Sequence, residues 1–370
     1  MDVLWIETTE ALAGWVDGLD GGPLAVDTEA DSFHHYREKV CLVQLSAAGR
    51  HALVDPLASV DFTPLAAPLS ASSIRKVLHG ADYDVRLLAR DFGLVVAGLH
   101  DTMIAARLAG EPAFGLAALL AKYLGVSLDK SHQRADWSRR PLPAAMREYA
   151  SADTRHLQAL AAVLDERLAQ LSRSAWVEEE CLRLESVRWR ERVEDDPEAF
   201  RRTKGARSLD RAGLAVLREV WGWRDAAARK RDRPAFKVLR DETLLALSKT
   251  PPASIGDLAR VTGVPDSLVR SPAAVDLLEA ARRGAASPEA ARPEIRSEVR
   301  ERLEPAVEAR IARIKERRDA LALDLVLDPS VIASRGVVEE MAKRWEAGED
   351  PFAVPDLRRW QLGLLRPLLT

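Results

Sequence analysis

The sequence predicts an α/β domain, a mixed sheet flanked by helices, followed by an all-α region. Three observations carry this expectation. Short apolar runs bounded by turn residues crowd the N-terminal part, at Val3–Glu7, Leu24–Glu29, Val40–Ser46 and His51–Val54, the signature of strands. From Pro56 to Leu171, strand-end patterns alternate with helical ones. From Ser174 onward strand signals nearly vanish, and the helical pattern is broken at Asp195-Asp196-Pro197, Asp232-Arg233-Pro234, Pro251-Pro252, Ser287-Pro288, Asp328-Pro329 and Asp350-Pro351, where Pro ends helices.

The elements follow in order. After the strand at Val3–Glu7, Glu10–Leu19 reads as a short amphipathic helix with Thr9 as its cap, and Asp20-Gly21-Gly22-Pro23 as a turn. The short links between the next three strands suit antiparallel pairing, with Gly49 marking the last turn. Arg75–His79 resembles a strand end, Asp82–Phe92 a helix, and Gly98–Thr102 a further strand end. Helices are expected at Met103–Ala109 and Gly115–Leu124, and one long helical pattern at Ala144–Leu171. An antiparallel three-stranded unit followed by alternating helices and strands gives a mixed sheet covered on both faces.

Composition narrows the class. A chain of 370 residues, 47% hydrophobic and 30% charged, suits two or three domains with real cores and solvated surfaces. No run approaches the roughly 18 apolar residues of a membrane span. The N-terminus lacks the basic region and long apolar run of a signal peptide. Cys41 and Cys181 are far apart and form no metal-like pair, so a reduced, cytoplasmic chain is expected. The net charge of −3 hides an uneven distribution: Arg201–Arg240 holds 13 Lys/Arg against 4 Asp/Glu, and Trp176–Phe200 holds 4 Arg against 9 Asp/Glu. The basic stretch suits either phosphate contacts or a solvated helix face. No P-loop or dinucleotide-binding Gly motif occurs.

The chemistry is concentrated in three short motifs. In Asp27-Thr28-Glu29, strand alternation points both carboxylates to one face. At about 4 Å and an effective dielectric near 20, their repulsion is on the order of 4 kcal/mol. An offsetting cation is therefore expected, and an all-oxygen ligand set favours Mg²⁺ or Mn²⁺. In His79-Gly80-Ala81-Asp82-Tyr83-Asp84, a strand hands over to a helix. Asp82 suits a helix cap and Asp84 a functional carboxylate, although acids at a helix start also serve the helix itself. In Tyr149-Ala150-Ser151-Ala152-Asp153, a phenol and a carboxylate share one helix face at i and i+4. Alone that pair reads as ordinary helix surface. Together, Asp27, Glu29, Asp84 and Asp153 can hold two divalent cations, with Tyr149 orienting an attacking water.

The order and spacing of these motifs resemble the DEDD exonuclease superfamily, Tyr subtype, and most closely the ribonuclease D family. Asp-x-Glu, His-x-x-x-x-Asp and Tyr-x-x-x-Asp are all present, beside Ser32-Phe33, Val43-Gln44-Leu45-Ser46, Asp101-Thr102 and Ala135-Asp136-Trp137-Ser138-Arg139-Arg140-Pro141-Leu142. The resemblance covers roughly residues 1–172. It implies a ribonuclease-H-like fold, 3′→5′ hydrolysis releasing 5′-nucleoside monophosphates, two metal ions on the four carboxylates, and Tyr149 as the water-orienting group. The helical remainder resembles HRDC modules at 209–284 and, more divergently, 290–370, joined through a charged connector at 173–208. That resemblance implies a nucleic-acid-facing role.

Further candidates for substrate contact are Phe33, as a wedge against a terminal base, Gln44, His79, His132, and the phosphate-binding candidates Arg139 and Arg140. Each also has a plainer reading: packing for Phe33, strand-surface bonding for Gln44, a buried hydrogen bond for His79, a polar loop for His132, and loop attachment for an arginine. His34-His35 lacks the further ligands a zinc site needs. The sequence thus points to an exoribonuclease acting on RNA with a free 3′ end, tRNA precursors in the family's pattern. The alternatives are the same chemistry on DNA, or a catalytically silent RNA-binding scaffold.

Overall fold

The computed structural model describes residues 3–129, 131–189, 196–295 and 303–369. They form two compact units. One comprises residues 3–30, 39–189 and 303–369, and contains the only sheet among the described residues. The other comprises residues 31–38 and 196–295 and is helical.

The sheet has six strands: β1 (Val3–Ile6), β2 (Leu24–Ala30), β3 (Val40–Ala47), β4 (Arg50–Val54), β5 (Lys76–Leu78) and β6 (Leu99–Asp101). Their spatial order is β1-β4-β3-β2-β5-β6. The β2/β3 and β3/β4 pairs are antiparallel, while β1/β4, β2/β5 and β5/β6 are parallel. Every residue of β3 is buried, the polar Gln44 and Ser46 included, because a central strand is covered on both faces and its apolar residues Val40, Leu42, Val43 and Leu45 pack on either side. In β2 the apolar residues Leu24, Ala25 and Val26 are buried, and Asp27 and Glu29 lie at the opposite end of the strand. The ladder shifts between Glu29 and Ala30, an irregularity of the kind that ends pairing and re-aims side chains.

The helices of this unit are α1 (Thr9–Asp17), α2 (Ala66–Ser70), α3 (Asp82–Phe92), α4 (Thr102–Leu108), α5 (Leu116–Leu124), α6 (Ala144–Arg155), α7 (Leu157–Gln170) and α8 (Ser174–Glu185). Thr8, rather than Thr9, caps α1, its Oγ1 accepting from the Ala11 N–H at 3.2 Å. The long helical pattern at Ala144–Leu171 is two helices meeting at His156. The expected cap at Asp82 is also displaced: Asp82 lies inside the first turn of α3 and pairs with Arg86 one turn on. The buried Asp101 organises this region instead. Its carboxylate accepts from Gly80 and Ala81 N–H at 2.9 and 2.8 Å, and from Met103 and Ile104 N–H at 2.8 and 3.2 Å. One side chain thus satisfies otherwise unpaired amides at the starts of two helices. Gly80 is required in that turn. Its φ is +76°, and a Cβ there would lie 2.4 Å from Met103 Cε.

The C-terminal helices α15 (Pro305–Leu325), α16 (Pro329–Ile332), α17 (Arg335–Glu346) and α18 (Arg359–Leu369) build a small apolar cluster around Ile314, Ile332, Met341 and Leu365. The sequence suggests a second, divergent helical module at 290–370. In the structure 303–369 belongs to the sheet-containing unit. Arg173 bridges the Leu108 and Leu325 carbonyls at 2.8 and 2.7 Å, and the Trp176 and Trp360 rings stack 4.8 Å apart. The expected connector is also partly absorbed, since α8 buries Val177 and Cys181.

The helical unit centres on α9 (Arg211–Lys230), α10 (Ala235–Val238), α11 (Asp241–Lys249), α12 (Ile255–Arg260), α13 (Asp266–Val269) and α14 (Ala273–Ala285). Leu214, Leu217, Leu244, Leu247 and Leu277 fill its core. Gly284 sets the approach of α14 to α9, because a Cβ there would lie 2.4 Å from Val216 Cα. Among the described residues no helix is long and apolar enough to cross a membrane.

Candidate active site

The end of β2 and the middle of α6 meet at a cleft of about 370 Å³ lined by Asp27, Thr28, Glu29, Tyr149 and Asp153 together with His79 and Asp129. Strand alternation brings Asp27 and Glu29 to one side, and one helical turn brings Tyr149 and Asp153 to the other. Oxygens of Asp27, Glu29 and Asp153 all lie within 4.8 Å of one another. Asp84 is outside this trio and outside the cleft lining: it is buried on the first turn of α3, and its Oδ1 accepts from Thr28 Oγ1 at 2.6 Å.

Burial and mutual repulsion dominate the electrostatics. Burial holds Asp27 well above the ordinary carboxylate range, with Asp84, Asp153 and Glu29 adding to the effect. Glu29 is raised by burial and then by Asp153 and Asp84. Burial pushes Asp153 up to about 7 against the opposing hydrogen bond from Tyr149. Asp84 is pushed up to about 6 by burial, with the Thr28 bond again opposing. The Tyr149 phenol is driven up by burial and by Asp153, Glu29, Asp27 and Asp129. Among the described residues lining the cleft there is no Lys or Arg, so no side chain there offsets this charge. A dense set of hard oxygen donors without a protein cation fits a hard divalent ion such as Mg²⁺ or Mn²⁺.

The substrate candidates are dispersed. His79 lines the cleft, with its Nδ1 bonded to Thr102 Oγ1 at 2.9 Å. The His132 ring lies edge-on to Tyr149, with centroids 5.7 Å apart. Gln44 sits opposite Asp27 in the β2/β3 register but is fully buried, so its amide is not on the cleft surface. Its Nε2 and Oε1 have no hydrogen-bond partner among the described residues. Arg140 is a clamp: its guanidinium donates to both Asp55 oxygens at 2.5 and 2.6 Å and to the Cys41 and Trp137 carbonyls at 2.6 and 2.8 Å. All this bonding directs it into the fold and away from a phosphate. Arg139 is largely exposed and pairs with Asp136 at 3.1 Å. Phe33 lies in the segment grouped with the helical unit. Gln133, beside His132 in the same polar stretch, also lines the cleft, as does Asp129, which no spacing in the sequence singles out. Asp101 has a visible signal, an acid directly before a helix, but its reach back to Gly80 and Ala81 depends on the packed β5/β6 pair.

Residues 3–169 match the family model for a 3′-5′ exonuclease, and residues 213–280 match the HRDC domain. A ribonuclease D from Gluconacetobacter diazotrophicus is 35% identical over 295 residues, spanning 79% of this chain and 74% of that protein. A ribonuclease D from Pseudomonas paraeruginosa is 31% identical across 97% of this chain and 94% of its own. The crystal structure of Escherichia coli RNase D superposes with a TM-score of 0.72 at 29% identity, covering 100% and 99% of the two chains. The catalytic core of RRP6 from Trypanosoma brucei gives 0.66 at 30% identity, covering 76% and 79%. With a ribonuclease-H-like sheet, an HRDC domain and these relatives over most of its length, the chain belongs to the ribonuclease D family and is a 3′→5′ exoribonuclease.

Proposed function

We propose that this exoribonuclease holds two divalent cations, Mg²⁺ or Mn²⁺, on Asp27, Glu29, Asp84 and Asp153, and trims the 3′ ends of structured RNA such as tRNA precursors. The observation that carries the metal assignment is the convergence of three carboxylates within 4.8 Å in a cleft whose described lining has no cationic side chain. Bound cations supply positive charge that acidifies a water and offsets charge on the leaving oxygen.

The protein's own groups do the rest. Asp27, Glu29 and Asp153 present oxygens from two different elements, so the site forms only when β2 and α6 are packed. Asp84, held at Oδ1 by the Thr28 hydroxyl, adds its charge to that of Asp27 and leaves its other oxygen for a cation. Tyr149 stays a neutral phenol through the working pH range because its pKa is raised. It therefore orients the attacking water through its hydroxyl and does not act as the base. The RNA assignment is supported by the named relatives and by the E. coli structure, described as an exoribonuclease involved in structured RNA processing.

The test is digestion of 3′-tailed tRNA and a matched DNA strand, with Mg²⁺ or Mn²⁺ and with EDTA, read as product lengths. Stepwise shortening of the RNA from its 3′ end, lost in EDTA and in Asp27→Ala, is the expected result. Undiminished digestion in EDTA refutes the metal assignment, and equal digestion of DNA refutes the RNA preference.

A further inference from the structure

Within the helical unit, two phenylalanines are partly exposed. Phe33 and Phe236 are 43% and 48% exposed, and their rings meet edge to face with centroids 6.3 Å apart. The loop that carries Phe33 is fastened to the end of α9. Asp232 accepts from the Tyr36 N–H at 3.1 Å and its second oxygen lies 2.7 Å from His35 Nδ1. The Tyr36 hydroxyl donates to Asp225 at 2.8 Å, and the Arg229 guanidinium lies over the Tyr36 ring. Exposed polar attachments of this kind add little stability. What they do accomplish is to fix the loop, and with it one aromatic ring beside another.

The sequence around Phe236 is strongly basic. Arg229–Arg240 contains six Lys/Arg and a single acid, Asp232, which is the residue engaged by the loop. Lys230, Arg231, Arg233, Lys237 and Arg240 are exposed, as is Phe236 between them in sequence. Exposed rings among cations are how sequence-tolerant proteins grip single-stranded nucleic acid: the ring meets a base face and the cations follow the phosphates. A duplex keeps its bases stacked on one another and offers no free face to such a ring. A protein partner fits less well, because Lys is depleted from protein–protein interface cores.

We propose that Phe33 and Phe236, with Lys230, Arg231, Arg233 and Lys237, form a stacking site for unpaired bases of the RNA substrate; this rests on the RNA reading above. In sequence the loop begins directly after Ala30, at the end of the strand that carries Asp27 and Glu29. Unpaired RNA engages this surface through ring faces, and the cations add affinity that does not depend on base identity.

The experiment is fluorescence anisotropy on the full chain in EDTA, where RNA is not consumed. The probes are an oligoadenylate of about 12 nucleotides and a blunt RNA duplex of the same length. Phe33→Ala and Phe236→Ala should each weaken the single strand by about 5- to 100-fold and leave the duplex unaffected. Phe33→Trp and Phe236→Trp should bind like the parent, whereas Phe33→Leu and Phe236→Leu, which keep apolar bulk without a ring, should bind like the Ala variants. Lys237→Ala should weaken both probes together and reduce the salt slope by about 1. Leu variants that bind like the parent, or Ala variants with unchanged or equally weakened affinity for both probes, overturn the proposal. Melting temperatures for every variant separate loss of folding from loss of the ring. If the parent chain digests RNA in Mg²⁺ while the Phe variants bind normally, the stacking site alone fails; if it digests no RNA, the functional reading fails.

Discussion

Replacing Asp153 by Asn should make the metal-free protein more stable while removing its activity. Burial holds the Asp153 pKa near 7, against 3.8 for the unperturbed group. The ionised form is therefore disfavoured in the folded state. That penalty is absent below the unfolded pKa, accumulates as pH rises from about 4 to about 7, and is complete above the folded value. A shift of about 3 units corresponds to at most about 4 kcal/mol, and partial exposure of the side chain reduces this to about 2 kcal/mol. Asn keeps an oxygen that can accept the Tyr149 hydrogen bond but carries no charge. At about pH 8 in EDTA, Asp153→Asn should thus gain about 2 kcal/mol, or roughly 5 °C in melting temperature. At about pH 4 the gain should vanish, because the parent carboxyl is then protonated. Saturating Mg²⁺ or Mn²⁺ should stabilise the parent by about 3 kcal/mol at a hundredfold excess over Kd, and the variant less. Scanning calorimetry across pH, with and without metal, reads both effects. A variant no more stable than the parent at about pH 8 in EDTA would refute the claim that burying the ionised Asp153 carboxylate destabilises the metal-free fold.

Three further outcomes are expected. Gln44→Met, of similar length without the unpartnered amide, should be neutral or stabilise by about 1–3 kcal/mol in urea unfolding; a clear loss would mean that the amide has a partner, such as a buried water. Asp101→Ala should cost about 2–4 kcal/mol, since it strips acceptors from two helix starts, and should lower activity by loosening the turn that carries Asp84; unchanged urea stability contradicts this. Arg140→Ala should cost about 3 kcal/mol by leaving the buried Asp55 carboxylate unpaired, and Arg140→Lys should restore little because it cannot bond both oxygens; a Lys variant of parental stability argues against the clamp.

The chain by itself determined which side chains each element presents together to the cleft. Alternation along a strand and the 3.6-residue turn of a helix are local properties, so they place Asp27 with Glu29, and Tyr149 with Asp153, before any tertiary contact is considered. The β2–β3–β4 hairpin order was legible for the same reason, through short links and turn residues. Packing decided the rest. The bonding of Asp101 to Gly80 requires β5 and β6 to lie side by side, and the burial of Gln44 requires a strand covered on both faces. The grouping of 303–369 with the sheet, and of 31–38 with the helices, depends on side chains distant in sequence, such as Arg173 with Leu325 and His35 with Asp232. Such pairings leave no period in the sequence, because they arise only after the chain has paid the entropy of bringing remote segments together.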